Sequence, residues 1–79
     1  MNEDDIRATL TAGLSASEVQ MDAQGNKVML VLVSEAFDGL NRVKRQQMVY
    51  KLLNEKISSG EIHAVSMRCL TPTERNNEV

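Results

Sequence analysis

The run Lys27-Val28-Met29-Leu30-Val31-Leu32-Val33 leaves the chain few folds to choose from. It has no polar alternation after its lysine, and it is far too short to cross a bilayer as a helix, which takes about 20 residues. A strand that is apolar on both pleat faces belongs in the middle of a sheet, with a neighbour on each edge and cover on at least one face. The chain has 79 residues, enough for one domain that buries about 60–65% of its unfolded surface. The flanking strands must therefore come from the few segments left over.

The first is residues 17–22. Val19 and Met21 point one way and Glu18, Gln20 and Asp22 the other, the mark of a half-buried strand. Ala23-Gln24-Gly25-Asn26 reads as the hairpin turn between the two. The second neighbour is residues 62–70, with His63, Val65, Met67 and Cys69 on one face and Ile62, Ala64, Ser66 and Arg68 on the other. The intervening segment is long enough for a crossover, so this pairing is expected to be parallel. Within it, Val49, Leu52, Leu53 and Ile57 recur at helical spacing from Arg42 to Ile57, and Ser58-Ser59-Gly60 ends the helix.

Residues 2–13 read as another helix. Asn2 caps it, Asp5 is its capping-box partner, Ile6, Leu10 and Leu14 form its apolar stripe, and Gly13 is its stop. Thr71-Pro72-Thr73-Glu74 opens a short last helix, and residues 75–79 read as a frayed tail. The expected fold is α+β: a single domain over residues 1–79, with a three-stranded mixed sheet and helices on one face.

Composition narrows the function. A single cysteine rules out an internal disulfide and suits a reducing, cytoplasmic setting. The acidic start Asn2-Glu3-Asp4-Asp5 is unlike a signal peptide, and no membrane-spanning segment is expected. Phe37 and Tyr50 are the only aromatic residues, too few for a base-stacking platform. No nucleophile, paired-carboxylate or metal-hydrolase motif is present, so no enzyme is expected. Net charge is −2, yet residues 42–51 hold four cations and no acid. Arg42, Lys44 and Arg45 crowd the first turn of a helix, where cations oppose its dipole, so they read as a solvated face or as an anion or acidic-partner site. Gly39-Leu40-Asn41-Arg42 occupies the place of a phosphate-cradling turn but has arginine where a G-x-x-G loop has its second glycine. On spacing alone, His63 reads as a rim residue. Cys69 lies six residues along the same strand, about 20 Å away, and the two cannot share one ion.

Taken together, Phe37-x-Gly39-x-x-Arg42-Val43-x-Arg45-Gln46-x-x-Val49-Tyr50, Ile62-His63-Ala64-Val65-Ser66 and Thr71-Pro72-x-Glu74 resemble the BolA family over nearly the whole chain, closest to its short bacterial IbaG-like branch. The resemblance implies a class II KH-like α-β-β-α-α-β-α order, adding a short helical turn near residues 35–40. It also implies an adaptor that binds a monothiol glutaredoxin, takes part in [2Fe-2S] cluster trafficking and iron homeostasis, and is linked to the stress response. His63 matches the histidine with which such proteins ligate a cluster shared with the glutaredoxin cysteine and glutathione.

The second ligand of the family, a Cys or His in the loop joining the first two strands, has no counterpart in Asp22-Ala23-Gln24-Gly25-Asn26-Lys27. Lys27 stands about where a histidine is expected, and a protonated lysine donates no lone pair. The remaining options are a cluster with one weak partner, an external ligand such as water or Asp22, or glutaredoxin contact without a shared cluster. The family's alternative role is that of a DNA-binding transcriptional regulator, with Gly39, Asn41, Arg42, Lys44 and Arg45 as the contact face. For oligomeric state, a monomer and a weak homodimer are both expected outcomes. The outer face of the central strand, with Ile62 and Ala64 beside it, would be the self-association surface.

Overall fold

The computed structural model describes residues 2–77. The chain runs α1 (Glu3–Leu14), β1 (Glu18–Gln24), β2 (Lys27–Val33), a 3-10 turn (Glu35–Phe37), α2 (Arg42–Ser58), β3 (Ala64–Leu70) and α3 (Pro72–Asn76). The sheet order is β1-β2-β3, with β2 central as its two apolar faces require. β1 pairs antiparallel with β2 and β3 pairs parallel to it.

The core lies between the sheet and the two long helices. Ile6, Leu10 and Leu14 of α1 and Val49 and Leu53 of α2 meet Val28, Leu30 and Leu32 of β2, with Phe37 from the 3-10 turn. Val19, Met21 and Ala23 on β1 and Val65, Met67 and Cys69 on β3 extend the same face. The other face of the sheet is open, and Met29 at its centre is 59% exposed.

Several elements depart from the sequence reading, each for a local reason. Gly13 does not stop α1: the helix continues to Leu14, which is buried, and Ser15 adopts the left-handed cap at φ 48°. Gly13 serves the packing instead, because a Cβ there would meet Leu52 Cδ2 at 2.6 Å. The Asn2 side chain accepts from the Asp5 N–H at 3.0 Å, so the cap is present. The Asp5 carboxylate, however, turns to an ion pair with Lys56 on α2. β1 runs on to Gln24, facing Lys27, which shortens the hairpin turn to Gly25-Asn26. Gly25 takes φ +62° in that two-residue turn, and glycine there avoids the Cβ penalty.

β3 begins at Ala64, not at residue 62. Ile62 is 1% exposed and belongs to the core, so it is not on the outer face. Its N–H bonds back to the Lys56 carbonyl at the end of α2, while the His63 and Ala64 N–H groups both meet the Asn26 carbonyl. Regular alternation thus starts only after His63, which leaves the histidine exposed and off the apolar face assigned to it from sequence. At the other end, Arg75 and Asn76 complete α3 and Asn77 caps it, so the tail does not begin at residue 75. Residues 78 and 79 lie outside the described residues.

Candidate functional site

The side chains singled out in the sequence fall at two opposite ends of the α2–β3 pair. Arg42, Lys44 and Arg45 start α2 beside the end of β3, since Arg45 reaches the Cys69 carbonyl. His63 follows the end of α2 and precedes β3. The helix between has 17 residues, about 25 Å of rise. The basic turn and the histidine therefore do not form one site.

Within the basic turn the three cations differ. Arg45 is committed internally. Its Nε donates to the Leu40 carbonyl at 2.9 Å and its Nη1 to the Cys69 carbonyl at 3.0 Å, while both terminal nitrogens grip the Glu74 carboxylate at 2.6 and 3.1 Å. Its side chain is only 13% exposed. The Arg45 guanidinium holds the Glu74 carboxyl down to about 2, aided by the Thr71 N–H. Arg42 and Lys44 point to solvent. Asn41 caps α2 by accepting from the Lys44 N–H at 2.9 Å, and Gly39 sits at φ +78°. Both make the turn and hold the orientation of the helix.

A cleft of about 700 Å³ opens between this turn, β3 and α3, lined by Leu40, Arg42, Arg45, Met67, Cys69 and Glu74. Burial pushes the Cys69 thiol up, partly offset by Arg45, so its thiolate is disfavoured.

At the other end, His63 sits beside the β1–β2 turn. The parallel register sets Lys27 against Ala64, which brings Asn26 next to the histidine. Asn26 Nδ2 lies 2.8 Å from His63 Nδ1, and the Asn26 carbonyl accepts the His63 N–H at 2.7 Å. Nε2 meets no partner among the described residues. Sequence reasoning passed over Asn26 as a turn residue. The signal available was the register, since sliding β3 along β2 until Ala64 faced Lys27 would have placed it.

The hairpin supplies no second donor. Lys27 is exposed at the start of β2, and Asp22 lies on the outer face of β1 opposite Met29. Both line a shallow hollow with Ala64 and Ser66, on the outer side of the sheet. Among the described residues no three His, Cys, Asp or Glu side chains come together to hold a metal ion. Among the described residues, His63 stands as a single exposed imidazole, with Nδ1 engaged by Asn26 and no second Cys or His beside it.

Both the sequence and the fold match a known family. The BolA-like protein family model matches residues 10–74, and the chain belongs to the BolA family. Within it, the chain is 42% identical to the acid stress protein IbaG of Escherichia coli strain K12 over 74 residues, covering 94% of this chain and 88% of that protein. This places it on the IbaG-like branch. Among solved structures, the BolA domain of SufE1 from Arabidopsis thaliana superposes with a TM-score of 0.85 at 30% identity, covering 94% of this chain and 98% of that one. A BolA protein homologue from Coxiella burnetii gives 0.83 at 29% identity, covering 98% and 99%. No described helix is long and apolar enough to cross a membrane.

Proposed function

We propose that this protein is a non-enzymatic, cytoplasmic adaptor that docks on a monothiol glutaredoxin and takes part in [2Fe-2S] cluster handling, with His63 as the ligand it contributes. The observation that carries the proposal is the exposed His63 ring, tethered through Nδ1 with Nε2 open to a partner. Neutral imidazole suits iron, and exchanging one thiolate for a histidine shifts a cluster away from all-thiolate behaviour. Membership of the BolA family supports the adaptor role, as does the likeness to a BolA domain of SufE1. Because the hairpin adds no Cys or His, the cluster's other ligands come from the glutaredoxin, its glutathione and solvent.

The test is anaerobic mixing with a cluster-loaded monothiol glutaredoxin, followed by visible absorption and circular dichroism. The expected result is a changed spectrum with the wild-type chain and an unchanged one with His63→Ala. A change that persists in His63→Ala would remove the histidine from the ligand set. No observation favours the DNA-binding reading: Arg45 is occupied inside the chain, and Asn41 and Gly39 are occupied in making the turn.

A further inference from the structure

The β1–β2 turn contributes no metal ligand, yet it touches the histidine twice. The backbone carbonyl of Asn26 takes the His63 N–H at 2.7 Å, which fixes where the residue leaves the chain. The Asn26 side-chain amide lies 2.8 Å from Nδ1, which limits rotation of the ring. The α2–β3 loop also brings Gly60 near the ring, at φ +84°, where a Cβ would lie 3.7 Å from His63 Cε1.

We infer that Asn26 is a positioning residue: it holds the His63 imidazole through Nδ1 and leaves Nε2 as the one nitrogen this chain offers to an incoming metal centre. The inference rests on the cluster reading above for its use, though not for its geometry.

The chemistry follows from what a carboxamide can do. Its NH2 group donates and its oxygen accepts, and a half-turn of the amide exchanges them. With neutral imidazole, Nδ2 donates to Nδ1 and the ring proton sits on Nε2. When Nε2 is taken up as a donor, its proton leaves to solvent and Nδ1 gains one. The amide then turns to receive Nδ1–H on Oδ1. Metal-bound histidines commonly have such a partner on the second nitrogen, and losing it costs about 10- to 100-fold in affinity. Asn26 meets both states without moving the backbone. The turn that lacks a ligand thus acts on the ligand one strand away.

His63 is the only histidine, so the test is direct. The protein is labelled with ¹⁵N-histidine and its ring nitrogens are read by NMR near neutral pH, without any metal. In the wild type the amide donates to Nδ1 and holds the ring proton on Nε2, so Nδ1 is expected to read as a hydrogen-bonded acceptor and Nε2 as protonated. Asn26→Ala should return both ring nitrogens to the values of a free imidazole, and Asn26→Asp, which can only accept, should draw the ring proton onto Nδ1. Amide spectra of each variant confirm that the hairpin is intact. Each is then titrated into cluster-loaded monothiol glutaredoxin, with Asn26→Ala expected to need about 10- to 100-fold more protein for the same spectral change and Asn26→Asp to stay near wild type. An Nδ1 signal identical in wild type and Asn26→Ala would overturn the assignment, and so would an Asn26→Ala titration matching wild type while His63→Ala fails. If Nδ1 behaves as expected but His63→Ala changes the cluster spectrum just as wild type does, the hold on the ring stands and the cluster reading falls.

Discussion

Arg45 shows how little residue type says about a side chain's work. It shares a turn with Arg42 and Lys44, and by sequence the three form one patch. In the fold, Arg45 ties the loop before α2, the end of β3 and the start of α3 into one unit through Leu40, Cys69 and Glu74. Removing it strands two carbonyls and a carboxylate that were paired, whereas its two neighbours lose only solvent contacts. Arg45→Ala is therefore expected to lower the urea midpoint clearly, with Arg42→Ala and Lys44→Ala within error of wild type. Equal midpoints for all three would show that the clasp adds nothing to stability. Experiments that neutralise the basic turn to probe partner binding should use Arg42 and Lys44, since a change at Arg45 acts through the fold.

At the scale of elements, α3 is the clearest case of a helix held by its start. It is five residues long, too short to persist alone, and Thr71 and Glu74 form a reciprocal capping box with Pro72 at the first position. Glu74 also receives Arg45, so the cap and the clasp share one carboxylate. Its folded value of about 2 lies below its ordinary 4.5. Lowered in the folded state, it contributes stability fully above about pH 4.5, and this is lost as pH falls toward 2. The expected outcome is that Glu74→Gln, compared with wild type, removes part of the fall in stability between those limits. Chemical denaturation at a series of pH values would read it, and parallel wild-type and variant curves across that window would refute it. Asp5, read as a local cap partner, instead joins α1 to Lys56 on α2 through its carboxylate.

For the whole molecule, the consequence of size is a core with one side. All the long helices pack on one face of the sheet, and a chain of 79 residues has a total stability of only about 4–12 kcal/mol. Leu30, fully buried on the inner face of β2, is expected to lose about 2–5 kcal/mol on truncation to alanine, a large share of that total. Met29, one residue away on the open face, should lose under about 1 kcal/mol on the same change. Thermal melts of Leu30→Ala and Met29→Ala measure the contrast, and similar losses at both positions would mean that the outer face is covered in solution, as in a dimer.

What the sequence determined by itself is the three strands, the three α-helices and the place of β2, because an apolar strand with no polar face has only one position in a small sheet; the 3-10 turn before α2 came only with the family resemblance. Helix and strand periods, the capping Thr71-Pro72-x-Glu74 and the parallel crossover followed from local chemistry and chain length. What tertiary structure alone decided is the phase of residues around the elements and the company each side chain keeps. Ile62 turned inward and His63 outward because their N–H groups found the Lys56 carbonyl at the end of α2 and the Asn26 carbonyl on the β1–β2 hairpin. Gly13 became a packing contact because Leu52 approaches it, and Asn26 came to the histidine through the β2–β3 register. Periodicity records which face is apolar over a run of residues. It carries no information at the single residue where one run ends and the next begins, and the candidate ligand stands at such a place.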